Sequence, residues 1–359
     1  MNKEVLLAYF PKITNTRYNK LKKYFTNIDD AWQASFKELK LAGWKEEIIH
    51  EWQIWKSEID ETKQEKILKQ EEITCLTIEN NDYPKLLKEI NDPPFCIFVR
   101  GKLKPDIFSI AVVGTRKNTP YGKYVTEEIV TELSENGITI ISGLALGIDG
   151  IAHLASIQSN GTTIAVLGSG INKQHIYPTN HKQLSEKIIS SGGAIISEYP
   201  PGTLPNKFTF PKRNRIVAGM SLGTLVVEAP QKSGSLITAD CALQYNREVF
   251  TIPQNITSKT GIGTNNLIKE GAHPITSAKD ILEILNLQNI KKVEINKKIT
   301  PDSPTEATII EYLSQEPIHI DELIKKSLLP SHTVMSTLTL MEIKGKIKNL
   351  GNMMYIISR

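Results

Sequence analysis

The period of the apolar positions changes several times along the 359 residues. Over residues 1–70, Leu21, Phe25, Trp32, Phe36 and Leu39 recur at helical spacing between Lys/Glu-rich faces. Ile48, Trp52 and Trp55 share one helical face, and all four tryptophans, Trp44 included, lie in this stretch. The pattern predicts a small helical module with its own core. Lys12-Ile13-Thr14 and Leu41-Ala42-Gly43-Trp44 fall between its helices, as in helix-hairpin-helix or SAM-like modules. Tryptophans at helical spacing belong to a core more readily than to a base-stacking surface. Residues 71–106 hold two short β-type runs, Ile73 to Ile78 and Phe95 to Val99, around Tyr83-Pro84 and Pro93-Pro94. They read as an irregular adaptor packed on the next domain.

From Ile107 to Leu287 short apolar runs alternate with longer helical stretches. The predicted strands are Ser109–Val113, Ile138–Ile141, Thr163–Leu167, Ala194–Ser197, Thr224–Val227 and Glu248–Ile252, with helices such as Tyr121–Glu135 and Ser235–Tyr245 between them. Strand–helix alternation implies right-handed βαβ units and a parallel sheet covered on both faces. The fold class is therefore α/β, a Rossmann-like doubly wound, mostly parallel sheet. Residues 288–303 carry four lysines, few apolar anchors and no period, as a linker would. Residues 304–359 give two helical segments and a third from about Ser331 to Lys344. Gly345 then breaks the pattern, and the β-like runs Lys346–Leu350 and Met353–Ile357 flank Gly351-Asn352. Three helices and a hairpin make a winged-helix domain.

Composition narrows the function classes only a little. The chain is 40% apolar and 23% charged, with a formal charge of +4, so a polyanionic partner depends on where the charge is placed. Residues 305–359 hold six Lys/Arg and six Asp/Glu. That neutral balance argues for protein contacts at least as well as for duplex DNA. Cys75, Cys96 and Cys241 are scattered and form no CxxC, which speaks against a disulfide framework and structural zinc. The apolar run Val5 to Phe10 is too short for a secretory signal, and no stretch approaches the ~20 apolar residues of a membrane span. A cytoplasmic protein without membrane association is expected.

Ligands of a doubly wound sheet bind beyond the carboxyl ends of its strands. The segments after the predicted strands are Gly114-Thr115-Arg116, Ser142-Gly143-Leu144-Ala145-Leu146-Gly147-Ile148-Asp149-Gly150, Gly168-Ser169-Gly170, and Glu228 leading to Ser233-Gly234-Ser235. Gly261-Ile262-Gly263-Thr264-Asn265 comes later. Together they offer backbone N–H groups at or near helix N-termini, a surface suited to anions. Asp149 is expected to cap its helix. The most specific segment, Asn206 to Arg215, contains Lys207, Lys212, Arg213 and Arg215 with Phe208 and Phe210, and no acid. Cations track a phosphate backbone while rings stack on unpaired bases, so this segment beside the glycine rim predicts a groove for single-stranded nucleic acid. Arg116 is expected at its floor, reaching a phosphate bidentately.

Several chemistries lack their signatures. There is no GxxxxGK[ST], and the first βα turn has one glycine where the dinucleotide fingerprint needs three. No DxD or HExxH points to a metal, and no cofactor is expected. His153, His175 and His181 read as surface or structural residues. The competing readings are a nucleotide sensor and a hydrolase related to the phosphoribohydrolases that resemble lysine decarboxylases. The hydrolases need a Pro-Gly-Gly-x-Gly-Thr turn, which Ala229 to Ser235 lacks.

The motifs Val113-Gly114-Thr115-Arg116, Ser142 to Asp149, Phe210-Pro211-Lys212-Arg213-Asn214-Arg215, Glu228-Ala229, Ser233 to Ala239 and Gly271-Ala272 resemble, in order, those of the DprA/Smf family. The resemblance runs from the adaptor to about residue 290. It implies a homodimeric, non-enzymatic mediator in natural transformation. Such a mediator binds single-stranded DNA, shields it and loads RecA onto it, including strands covered by single-strand-binding protein. It places DNA-binding roles on Arg116, Ser142, Gly143, Lys207, Phe210 and Arg213. Gly114, Lys212, Asn214, Arg215, Ser233, Gly234 and Ser235 complete the expected interface.

Overall fold

The computed structural model describes residues 1–287, 301–313, 318–344, 346–349, 351 and 353–357. Most of the expected linker (288–300), Gly345 and Asn352 therefore lie outside the described residues. The chain divides into two units, residues 1–293 and 294–359.

The first unit begins with six helices, α1 (Lys3–Leu7), α2 (Asn15–Tyr24), α3 (Ile28–Gln33), α4 (Phe36–Leu41), α5 (Glu46–Glu58) and α6 (Glu61–Gln70). Polar residues at their starts satisfy free amides: Thr14, Asn27, Ser35 and Asp60 each accept a backbone N–H of the first turn. Trp32, Trp44 and Trp52 are buried, as helical spacing requires. The module does not keep a separate core, however. Tyr18 stacks on Phe95 at 4.3 Å and Tyr9 meets Phe98 edge-on at 5.7 Å, so its apolar cluster continues onto the sheet.

The sheet is built from β1 (Thr74–Thr77), α7 (Lys85–Lys88), β2 (Cys96–Gly101), β3 (Ser109–Val113), α8 (Pro120–Glu135), β4 (Thr139–Ser142), α9 (Ile148–Gln158), β5 (Thr163–Leu167), α10 (Lys182–Ser190), β6 (Ala194–Ser197), α11 (Thr209–Gly219), β7 (Gly223–Val226), α12 (Gly234–Gln244), β8 (Glu248–Thr251), α13 (Ile262–Lys269), β9 (His273–Pro274) and α14 (Ala278–Ile284). Its nine strands run in the order β1-β2-β6-β5-β4-β3-β7-β8-β9. Strands β3 to β9 are parallel, and β1 and β2 join antiparallel at one edge. The 71–106 segment is thus part of the sheet and not an irregular adaptor lying on it. Its two β-type runs pair with each other and then with β6, because Gly101 to Phe98 aligns with Ala194 to Ser197.

Alternation along the strands divides the core. Ile110, Val112, Ile140 and Leu225 pack under α8, α9 and α14, while Ala111, Val113, Ile141, Val166 and Val226 face α11 and α12. The chain leaves β3 toward β4, β5 and β6, then returns to β3's other side for β7, β8 and β9. The order reverses between β3 and β7, and the loops leaving these strands and β4 and β5 form one rim.

The second unit contains α15 (Pro304–Tyr312), β10 (Ile318–His319), α16 (Ile320–Ser327), α17 (Ser331–Ile343), β11 (Ile347–Asn349) and β12 (Met354–Ile357), with strand order β10-β12-β11. Ile309, Leu323, Val334, Leu338 and Met341 form its core. This is a winged helix.

Candidate nucleic-acid interface

Two carboxylates of the protein itself, Glu228 and Asp149, occupy amides of the rim. Thr119 caps α8, accepting Gly122 N–H at 3.0 Å, while its hydroxyl donates to Glu228 Oε1 at 2.6 Å. Glu228, just past β7, is completely buried and also accepts Thr119 N–H (2.9 Å) and the Thr260 hydroxyl (3.3 Å). A Cβ at position 122 would overlap this carboxylate, so only glycine fits there. The crevice where the strand order reverses, which suits a nucleotide phosphate in other doubly wound sheets, is filled from within. Glu228 has no open face with which to serve a hydrolase.

The β4–α9 loop is organised in the same way. Asp149 does not cap α9, whose N-cap is Gly147. Its Oδ2 reaches back to Gly143 N–H at 3.1 Å and Ala145 N–H at 3.3 Å, because the loop folds over the first turn of the helix. Ser142 is buried and donates to Val112 O at 2.7 Å. Arg213, from α11, runs beneath the loop and donates to Val166 O and, through Nε, to Asn214 Oδ1 at 3.2 Å. A Cβ at Gly143 would collide with its guanidinium. Burial pulls Arg213 down to about 10, with Asp149 opposing the shift and Arg116 adding to it. Burial also raises Asp149, against the pull of Arg213. His153 of α9 is fully buried at the same level; Nδ1 lies 2.7 Å from the Thr163 hydroxyl, and burial lowers it to about 3. His181 Nδ1 lies 2.9 Å from Leu144 O, so that nitrogen carries the proton, and His175 Nδ1 lies 2.7 Å from Asn172 Nδ2. His153 ties α9 to β5, and His175 and His181 brace loops, structural roles that their isolation in the sequence suggests.

The expected interface residues therefore separate by depth. Arg116 is exposed at the edge, its guanidinium carbon 5.7 Å from the Phe210 ring centroid, and Arg213 lies at the floor position expected for Arg116. Phe210 is half-buried beside Gly168. Exposed Lys207 lies 5.1 Å from the Phe208 ring, which is 74% exposed. Lys212 is exposed, 5.6 Å from the Tyr199 ring and 3.3 Å from Glu198. Arg215 is buried, binding Glu198 at 2.6 Å and the Asp92 carbonyl at 2.7 Å. Asn214 donates to Gly234 O at 3.0 Å, tying α11 to the Ser233–Ser235 turn, where Ser233 caps α12 by accepting Ser235 N–H at 3.3 Å. Gly114 packs against Ile148 of α9.

Position along α11 separates these cations. Pro211 and Lys212 lie exposed in its first turn, while Arg213 and Arg215 lie farther along, where the helix is buried with Ile216 and Val217. Sequence reasoning missed Tyr177, an exposed ring with its centroid 5.7 Å from that of Phe210, and Tyr199 under Lys212. The available signal was an aromatic residue in the long segment after β5, beyond the glycines considered there. Among the described residues no group of three or more His, Cys, Asp or Glu could hold a metal, and no helix is long and apolar enough to cross a membrane.

Residues 74–286 match the family model for DNA recombination-mediator protein A, and residues 296–353 match the DprA winged helix domain. DNA processing protein DprA of Bacillus subtilis is 43% identical over 224 residues, 62% of this chain and 74% of that protein. Protein Smf of Escherichia coli is 39% identical over 272 residues, 74% and 72% of the two chains. The X-ray structure of DprA from Streptococcus pneumoniae superposes with a TM-score of 0.68 at 35% identity, covering 79% of this chain and 97% of that one. DNA processing protein A from Helicobacter pylori, described for its single-stranded DNA binding mode, gives 0.53 at 33% identity over 60% and 95%.

Proposed function

Because the chain belongs to the DNA recombination-mediator protein A family, we propose that it binds single-stranded DNA along the loop rim, protects it and loads RecA onto it without chemistry of its own. The observation that carries this reading is the row of exposed cations set over aromatic rings: Arg116 over Phe210, Lys207 over Phe208 and Lys212 over Tyr199. Such a surface meets phosphates and unpaired bases together. The buried couples support it by exclusion, because Glu228 and Asp149 fill the positions a mononucleotide phosphate would use. The protein acts in the cytoplasm as a homodimer, with RecA and single-strand-binding protein as its protein partners.

The deciding experiment is fluorescence anisotropy with labelled oligo(dT), titrated in salt, with an equal-length duplex as competitor. Binding that falls with a log–log slope of about −0.7 per phosphate neutralised, and that duplex does not displace, is the expected result. A flat salt response would instead favour a small-ligand pocket.

A further inference from the structure

The segment between β5 and α10 is pinned before any ligand arrives. Ile171 and Ile176 are buried, and the Ser169 hydroxyl donates to His175 O at 3.0 Å. Asn172 Oδ1 accepts Gly202 N–H at 3.0 Å, and Gly170 N–H donates to Thr203 O at 2.9 Å. This frame ends in Tyr177, which does not turn into the core. It is 42% exposed, and its ring lies against Phe210 at 5.7 Å and an interplanar angle of 44°. Phe210 in turn lies under Arg116. One cation and two rings from three separate segments thus form a continuous shelf at the rim.

We propose that Tyr177 is a base-stacking residue of the single-strand site, forming with Phe210 a two-ring shelf that selects unpaired bases. The inference rests on the single-stranded DNA reading of the rim. Ring faces are buried inside a base-paired stack, so a stacking shelf rewards only strands whose bases are free. Holding Tyr177 on a pinned loop lowers the ordering cost of that contact. The rim cations meet the phosphates of any nucleic acid, whereas the shelf discriminates between strand states.

The test compares wild type, Tyr177→Ala and Tyr177→Phe on oligo(dT) and on an abasic strand of equal length, with melting curves to verify folding. Tyr177→Ala should weaken oligo(dT) binding by roughly five- to a hundredfold. It should leave the salt slope unaltered, since the ring carries no charge, and leave binding to the abasic strand unchanged. Tyr177→Phe should bind oligo(dT) as wild type does. Undiminished binding by Tyr177→Ala overturns the proposal, and so does an equal loss on the abasic strand, which would assign Tyr177 to loop structure. Failure of the wild type to bind oligo(dT) at all would overturn the reading of the rim itself.

Discussion

Cations of the rim and cations of the winged helix meet opposite partners. On the rim of the sheet, Arg116, Lys207 and Lys212 each lie over an aromatic ring. In the winged helix, Lys344 and Lys346 are each held by both Asp302 and Glu306 at 2.7–3.1 Å. A ring attracts a cation without neutralising it, so the charge stays available to a phosphate. A carboxylate cancels it. Lys212, which also lies 3.3 Å from Glu198, is the intermediate case. Formal charge along a chain is therefore a weaker guide to polyanion binding than the partner each cation is given.

The harshest test of that contrast is Arg213, which belongs to the rim by sequence and to the interior by partners. Arg213→Ala would leave Asp149 buried without its counter-charge. The change also strips Val166 O of its buried donor, and leaving such groups unsatisfied costs roughly 1–3 kcal/mol, so chemical denaturation should show a loss of at least that size. The salt slope for oligo(dT) should stay at the wild-type value if the variant is assayed well below its melting point. A slope smaller by about 0.7 would mean that Arg213 reaches a phosphate after all and that the division by depth fails.

The units should also part on acidification. His153 has its folded value near 3, below the ordinary 6.5, so between these the unfolded chain binds more protons than the folded one. Its contribution to stability is complete above about pH 6.5 and declines as pH falls toward 3. At pH 5 the first unit should have lost about 2 kcal/mol relative to pH 7.5. All four tryptophans lie in this unit, so their fluorescence reports its unfolding alone. His153→Asn should lack the decline between pH 6.5 and 5; an unchanged decline would place the titrating group elsewhere.

Much of this was legible in the sequence, for reasons that also explain the failures. Strands such as Ser109–Val113 and Thr163–Leu167 are read to the residue because both faces are buried and the apolar run is continuous. Thr74–Thr77 and Cys96–Gly101 read as β-type runs but not as part of the sheet, since their place depends on the long-range antiparallel pairing of Cys96–Gly101 with β6 that no local period encodes. Within the site, the segment from Lys207 to Arg215 drew attention by composition. Depth within it was not legible, because Arg213 goes inward for the sake of Asp149 and Val166, residues distant in sequence. Tyr177 escaped because a lone tyrosine acquires meaning only when Phe210 arrives beside it.

A more modest effect should come from the exposed cations themselves. Arg116→Ala removes a charge-assisted contact of ~1.5–3 kcal/mol, so affinity for oligo(dT) should fall roughly tenfold or more. The salt slope should shrink by about 0.7 and the melting temperature should not move. Lys344→Ala, drawn from the other unit, should change neither affinity nor slope. Equal losses in the two variants would dissolve the contrast between ring-facing and carboxylate-facing cations.

The smallest expected change is the most direct probe of the winged-helix network. Hydrogen bonds from Lys344 and Lys346 hold Asp302 at about 2; in Glu306, the Asp302 amide and the same lysines also hold the carboxyl at about 2. Both folded values lie below the ordinary 3.8 and 4.5, so this stabilisation is present above about pH 4.5 and is lost as pH falls toward 2. Asp302→Asn should destabilise the second unit by a small amount at pH 7, because solvent screens an exposed pair, and linkage removes that same amount from the acid-induced loss. It should flatten the acid-induced loss below pH 4, followed through hydrogen exchange of Ile309 and Leu338, two buried residues of that unit. Partial release of Lys344 and Lys346 should leave the oligo(dT) salt slope unchanged, since Glu306 still holds both. A steeper slope would show that carboxylate pairing alone keeps this unit from acting as a second rim.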